Sequence, residues 1–241
     1  MLKELNKIIS YIKIYIGYDN RERAATNVLI DSLYQNSSLP LSISPLKNNQ
    51  LKEAGIYWRE RDPNQSTDFS FTRFLVPHLM GFKGWAIFMD CDMLCQDDIA
   101  NLWNQRNEKY AIMSIKHNHR PKEKVKFLNE VQTSYSKKNW SSLMLMNCSK
   151  CKSLNVEFVN KASGLDLHRF NWLKDENEIG EIKGTWNSLV ENIPNNIPNI
   201  KNSSLIHWTL GGPWFKEQRD YSDPLCSKWF KARDESMKLH D

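Results

Sequence analysis

The chain has 241 residues, 40% hydrophobic and 25% charged, enough to bury a central sheet in one globular α/β domain. Its formal net charge of +5 suits phosphorylated small molecules or an anionic membrane surface, and is too small and dispersed to argue for nucleic acid. No run approaches the roughly 20 apolar residues of a membrane-spanning helix, which excludes an integral membrane segment.

Lys3, Lys7 and Lys13 interrupt the opening residues before any apolar run reaches leader length, so no secretory signal is expected. With five Cys, an odd number, this points to a reducing, cytoplasmic compartment. Residues 12–17, IKIYIG, alternate apolar and polar and stop at Gly17-Tyr18-Asp19, a strand running into a loop. RERAATNVLIDSLYQNS then carries apolar positions 24/25, 28/29 and 33, the spacing of a helix that ends in turn residues. PLSISPL follows as a second strand, so the chain opens as a right-handed β-α-β crossover, the start of a parallel sheet.

NQSTDFSFTRFLVPHLMG reads as a helix capped by Ser66 or Thr67, with an apolar face through Phe71, Phe74 and Leu75 and a stop at Gly81. Pro77 should bend or break its last turn. WAIFMD is a nearly continuous apolar strand, as expected where both faces are covered, and YAIMSIKH and SSLMLMNC are two more strands. Beyond residue 152 helix-like segments and loops dominate, with Pro194 and Pro198 in an Asn-rich linker. SSLIHW is a late short strand, and DPLCSKWFKARDESMKLHD reads as a closing helix. No repeat and no boundary divides residues 1–241.

Asp90 and Asp92 stand where the buried strand WAIFM ends. In an extended chain residues i and i+2 project to one side, so the two carboxylates can converge on one cation where open α/β sheets keep their ligands. Burying two carboxylates is costly unless something cationic compensates. Hard oxygens select Mg²⁺ or Mn²⁺, which commonly bridge carboxylates to phosphates. Downstream, LIHWTLGGPW places His207 at a strand end, where a neutral imidazole would add a nitrogen ligand and tilt the preference towards Mn²⁺. Gly211 and Gly212 would let backbone N–H groups approach a diphosphate closely.

Cys91, Cys95, Cys148 and Cys151 offer a competing four-thiolate zinc site. Cys91 lies between the two Asp and points the opposite way along a strand, so buried free thiols are the expectation. The chain has nine Trp, and Trp58, Trp140, Trp172, Trp186, Trp208 and Trp214 lie beside polar residues, either as faces that stack on sugars or as anchors at the core edge. Lys228, Lys231 and Arg233 with Trp229 and Phe230 read as a peripheral contact with the inner face of a membrane or as a solvated amphipathic helix.

The stretch FTRFLVPHLMGFKGWAIFMDCDMLCQDDIANLW resembles the core of GT-A fold glycosyltransferases and is similar to the family 8 enzymes, which include bacterial lipopolysaccharide galactosyltransferases and glycogenin. HWTLGGPW, NWSSLMLMNC and GTWN resemble shorter motifs of that family. The resemblance implies a single Rossmann-like α/β domain, its mostly parallel sheet flanked by helices and its C-terminal part helical. Residues 1–115 would form the nucleotide-sugar-binding half and residues 116–241 the acceptor-side half.

It further implies that Asp90, Asp92 and His207 bind Mn²⁺ or Mg²⁺, with Asp90 also reaching the ribose. Arg73 would face the nucleotide-sugar, Gly17-Tyr18-Asp19 would hold the base, and Gly211 and Gly212 would line the diphosphate. The implied activity moves a hexose from a nucleoside diphosphate sugar, UDP-linked by family default, to a hydroxyl on a glycan, a lipid-linked glycan or a protein. Retention of configuration and a role in polysaccharide biosynthesis go with it.

Two departures stand out. The family's Lys before Pro-Trp is replaced by Gly212, which leaves Lys216 as the substitute. Its Asp-Gln-Asp stretch is replaced by GLDLHRFNWL, which offers Asp166, His168 and Arg169 as catalytic candidates. Two other readings compete. IFMDCDML also fits the start of haloacid-dehalogenase-type phosphatases, with Asp90 as nucleophile, although those place the acid on the first strand and continue with Gly-Thr. A non-catalytic sugar-nucleotide-binding protein of the same fold is the other.

Overall fold

The computed structural model describes residues 11–63, 65–118, 128, 136–190 and 200–238. Lys3 and Lys7, Asn64, and the linker prolines Pro194 and Pro198 lie outside the described residues.

Strand β1 (Ile12–Gly17) buries Ile12, Ile14 and Ile16 completely and runs into a 3-10 turn, Asn20–Glu22. Helix α1 (Arg23–Gln35) buries Ala25, Val28, Leu29 and Leu33, the face its spacing predicts. Strand β2 (Leu41–Leu46) then pairs parallel to β1, with Ile14 opposite Ile43, completing the expected β-α-β unit.

After α2 (Asn48–Glu53) the structure departs from the sequence expectation. No single helix spans 66–81: a 3-10 turn covers Thr72–Leu75 and a one-turn helix, α3, covers Val76–Leu79. Pro77 sits in the first turn of α3, where its missing N–H costs nothing, so the helix runs through the proline instead of breaking there. The tighter 3-10 turn buries all four of its residues, Arg73 included. Gly81, at φ +58°, ends the segment as expected.

The fully buried β3 (Trp85–Met89) pairs parallel to β1. The chain continues through β4 (Met93–Cys95), α4 (Ile99–Trp103), β5 (Ile112–Ser114), β6 (Leu143–Asn147), α5 (Val156–Lys161), α6 (Gly164–His168), β7 (Ile179–Glu181), β8 (Ser188–Leu189) and β9 (Leu205–His207). The main sheet has the order β2-β1-β3-β6-β5-β7. It is mostly parallel, β6 running against its neighbours β3 and β5.

A second, three-stranded sheet, β4-β9-β8, is the feature the sequence reading lacks. Its strands have three, three and two residues, too short to show a period of two. A C-terminal helix (Pro224–Ser236) packs Leu225 and Trp229 with Val28, Leu94, Ile206 and Trp208 into a smaller core behind this sheet. That burial corrects the membrane reading for Trp229, which is 2% exposed. Trp172, Trp186 and Trp208 are buried as well, whereas Trp58 is 50% exposed. No helix among the described residues is long and apolar enough to cross a membrane.

Candidate active site

The site is built where β3 ends. Asp90 N–H donates to Ser142 O at 2.9 Å, extending the β3–β6 pairing by one rung, and the chain then bends through Cys91 and Asp92 before entering β4. The acid pair therefore lies on a bend between two sheets, not in an extended strand, and simple alternation does not describe it. The carboxylates converge all the same. Asp90, Asp92 and His207 each offer a ligand atom, and these atoms all lie within 4.8 Å of one another.

Strand register delivers the histidine. In the antiparallel β4–β9 pair His207 stands opposite Met93, and Trp208 N–H donates to Asp92 O at 2.9 Å. A slip of one residue would turn the imidazole to the other face of the small sheet. His207 Nε2 is 3.2 Å from Asp92 Oδ1, and both side chains are almost fully buried.

The other ring nitrogen is fixed from behind. His207 Nδ1 lies 2.7 Å from Asn187 Oδ1, Asn187 Nδ2 donates to Ser142 Oγ at 2.9 Å, and Ser142 Oγ donates to Asn139 O at 2.6 Å. Each link sets the next. The serine hydroxyl has given its proton to a carbonyl, so it accepts from the amide nitrogen, and the amide oxygen faces the ring. An amide oxygen only accepts, which places a ring proton on Nδ1 and turns Nε2 towards the two acids. Asn187 is 1% exposed and adopts φ +72°, a left-handed conformation that asparagine tolerates better than most residues. Two hard oxygens, one imidazole nitrogen and a braced ring make a donor set that fits a divalent cation.

Arg73 ties Asp90 to the turn that precedes β6. Its Nη1 is 2.9 Å from Asp90 Oδ1 and donates to Ser141 O at 2.8 Å. The guanidinium lies 5.3 Å from the Phe69 ring and 5.0 Å from the Phe88 ring. Gly17 makes that packing possible, since a Cβ there would stand 2.3 Å from the Phe69 ring.

A cavity of about 480 Å³ opens over this cluster, lined by Arg73, Asp90, Asp92 and His207 and, from other segments, by Lys138 and His168. His168 is carried by α6; its Nδ1 is 2.8 Å from Ser141 Oγ and its ring meets the edge of Phe74 at 5.2 Å. Asp166 and Arg169 do not line the cavity. Ser163 caps α6 by accepting from Asp166 N–H, and hydrogen bonds from the Ser163 hydroxyl and Asn171 hold the Asp166 carboxyl below the usual range. The Arg169 carbonyl accepts from Lys137 Nζ at 2.9 Å.

Gly17, Tyr18 and Asp19 also lie outside the cavity lining. Asp19 is fully buried, caps the Asn20–Glu22 turn and pairs with Arg21 at 2.6 Å. Burial alone would raise its carboxyl, but the Arg21 guanidinium and N–H and the Asp68 N–H outweigh that and hold it low. Tyr18 carries Lys47 Nζ 6.0 Å from its ring centroid. Gly211 adopts φ +96°, and a Cβ on Gly212 would meet the Trp214 ring at 2.3 Å, so both glycines answer to backbone geometry. Neither they nor the exposed Lys216 line the cavity.

The four-thiolate reading finds no cluster among the described residues. Cys91 Sγ donates to Glu22 Oε2 at 3.7 Å, while Cys95, Cys148 and Cys151 donate to backbone carbonyls. Burial pushes the Cys95 and Cys148 thiols up to about 12.

Asn187, Ser141, Ser142 and Lys138 are the site residues that sequence reasoning passed over. Asn187 lies within the quoted motif GTWN, Ser141 and Ser142 lie within NWSS, and Lys138 directly precedes it, but nothing in a polar residue next to a strand announces the direction of its side chain.

The sequence profile of "Glycosyl transferase family 8" matches residues 5–218. Protein CDI of Arabidopsis thaliana is 46% identical over 234 residues, covering 94% of this chain and 87% of that protein. Among solved structures, the galactosyltransferase LgtC in complex with donor and acceptor sugar analogs aligns with a TM-score of 0.59 at 11% identity, over 95% of this chain and 98% of LgtC. The bifunctional glycosyltransferase WbbM aligns with a TM-score of 0.58 at 15% identity over 92% of this chain, which spans only 52% of WbbM. GlyE of Streptococcus pneumoniae gives a TM-score of 0.59 at 12% identity, over 96% of this chain and 61% of GlyE.

Proposed function

The chain belongs to glycosyl transferase family 8 and is a glycosyltransferase of the GT-A fold, and from that premise we propose that it moves a hexose from a UDP-linked donor to an acceptor hydroxyl with the help of Mn²⁺ or Mg²⁺. The acceptor class is a glycan, a lipid-linked glycan or a protein. The observation that carries the metal-dependent reading is the convergence of Asp90, Asp92 and His207 within 4.8 Å beside the cavity.

Asp90, Asp92 and His207 would hold the divalent ion, which would supply Lewis-acid stabilisation of charge on the diphosphate. The chain's own residues do the rest. Asn187 holds the imidazole so that Nε2 faces the acids, and Arg73 holds Asp90 in place while presenting a fixed positive charge to the cavity. His168, anchored through Nδ1 to Ser141, is the base assigned to take the proton of the acceptor hydroxyl. Asp166 acts through the cap of the helix that bears His168, and Arg169 through the carbonyl that Lys137 grips. The transfer retains configuration at the anomeric carbon.

The phosphatase alternative draws no support from the site: Asp90 follows the third strand of the chain and is paired with Arg73. The deciding experiment incubates the protein with a panel of nucleotide sugars and Mn²⁺ and follows released nucleoside diphosphate by ³¹P NMR, with a chelator control. Chelator-sensitive release from one donor supports the proposal, and the anomeric signal of the product reads retention. Donor binding without release under every condition would favour a non-catalytic binding protein, and a phosphorylated Asp90 would favour the phosphatase.

A further inference from the structure

The turn that leads into β6 holds two non-glycine residues in left-handed backbone, Lys137 at φ +63° and Asn139 at φ +64°, one on each side of Lys138. Asparagine visits this region readily; for lysine it costs on the order of 1 kcal/mol. The turn is closed by Trp140 N–H donating to Lys137 O at 3.1 Å. Its effect is to send two consecutive lysines in different directions. Lys137 Nζ reaches the Arg169 carbonyl at 2.9 Å and the Glu176 carboxylate at 2.5 Å, outside the cavity. Lys138 is 9% exposed and lines the cavity.

Lysine is rarely buried to this degree. The cavity wall it joins carries three carboxylates, Asp62, Asp90 and Asp92, against Arg73 and Lys138 as fixed cations. Lys216, the lysine the sequence offers for contact with phosphate, is exposed and does not line the cavity. We infer that Lys138 is the cation that binds the diphosphate of the donor, an assignment that rests on the donor reading above and adds a residue to it.

The reaction explains why a cation belongs there. The bond between the anomeric carbon and the diphosphate oxygen breaks with its electron pair left on that oxygen. The acceptor oxygen forms the new bond to the anomeric carbon and releases its proton to His168. The leaving diphosphate thus gains one negative charge, and an ammonium fixed beforehand in a partly dehydrated wall stabilises it without having to reorganise.

The test compares wild type with Lys138→Met, Lys138→Arg and Lys216→Met. Two quantities are measured: Mn²⁺ affinity by EPR titration, and affinity for UDP in saturating Mn²⁺ by calorimetry. GDP, ADP and CDP are run alongside, and if wild type prefers one of these, that nucleotide replaces UDP. Lys138→Met should keep the Mn²⁺ affinity of wild type, which also reports an intact fold, and bind UDP roughly 10- to 100-fold more weakly. Lys138→Arg should recover part of the loss, and Lys216→Met should match wild type. UDP affinity unchanged in Lys138→Met, or lost in step with Mn²⁺ affinity, would overturn the assignment while leaving the donor reading in place. A wild-type protein that binds none of the four nucleotides with Mn²⁺ would overturn the donor reading and this inference together.

Discussion

Asn187 grips His207 from behind, its Oδ1 2.7 Å from the ring Nδ1, and the same amide donates to Ser142 at 2.9 Å. The orientation of the His207 ring is thus set by a residue twenty positions away in sequence. Replacing Asn187 with Ala removes the acceptor, and Mn²⁺ affinity should fall roughly 10- to 100-fold in an EPR titration. Asn187→Asp keeps an acceptor oxygen and tolerates the left-handed backbone, so it should stay closer to wild type. Equal losses in the two variants would count against the positioning role.

Asp92 carries the largest expected effect on turnover. Asp92→Ala should lower kcat at least ~10²-fold, because removing a carboxylate from the cation site forfeits several kcal/mol of charge stabilisation. The loss should be mimicked in wild type by a chelator and reversed by added Mn²⁺, both read from release of nucleoside diphosphate. An Asp92→Ala protein that turns over donor at the wild-type rate would reject the metal-site assignment.

Arg73 and Asp90 form a buried pair, their side chains 6% and 13% exposed. Arg73→Met leaves Asp90 facing the other acids without its guanidinium, and the fold should lose roughly 3–5 kcal/mol. The double change Arg73→Met with Asp90→Asn removes the stranded charge and should regain a substantial part of that stability in urea denaturation. A double variant less stable than Arg73→Met would show that the pair is not what holds the segment.

The depressed Asp19 carboxyl gives a pH signature. Its folded pKa lies below the unfolded value of about 3.9, so its stabilising effect is fully present above that value and fades as pH falls towards the folded one. Asp19→Asn should therefore be less stable than wild type at neutral pH, and the gap should close below about pH 4. Stability curves measured from pH 7 down to pH 3 check the sign.

Gly17→Ala tests the packing beneath Arg73. A Cβ at 2.3 Å from the fully buried Phe69 ring must displace that ring, at a cost of about 1–3 kcal/mol. Tm should drop by roughly 2–4 °C for each kcal/mol lost. An unchanged Tm would mean that the ring has room to move.

Much of this was legible in the sequence because long apolar periods are robust. The alternation of IKIYIG, the helical face of residues 23–35 and the apolar run WAIFM each became the expected element. The meeting of Asp90, Asp92 and His207 was legible for a related reason, since carboxylates and an imidazole at the ends of buried segments have few purely structural uses. What stayed hidden depends on tertiary context. Pro77 reads as a breaker within an apolar period, yet it sits in the first turn of α3, where its missing N–H costs nothing, and a buried 3-10 turn precedes that helix. The small sheet escaped because β8 has two residues, and pairing with β9, not pattern, makes it a strand. Lys137 and Lys138 are alike in sequence, and only the handedness of the turn separates the one that faces the cavity from the one that does not.

The placement of the acid pair at the joint of the two sheets carries a mechanical consequence. Asp90 follows the end of a strand in the large sheet, while Asp92 and His207 are anchored to the small one, so anything bound among them rivets one layer to the other. The free energy of occupancy then resists separation of the layers as RT ln(1 + [L]/Kd), about 2.7 kcal/mol at a hundredfold excess over Kd. Loosening the packing of Ile206, Trp208 and Trp229 on the side of the small sheet's core would weaken grip at the joint without changing Asp90, Asp92 or His207 themselves.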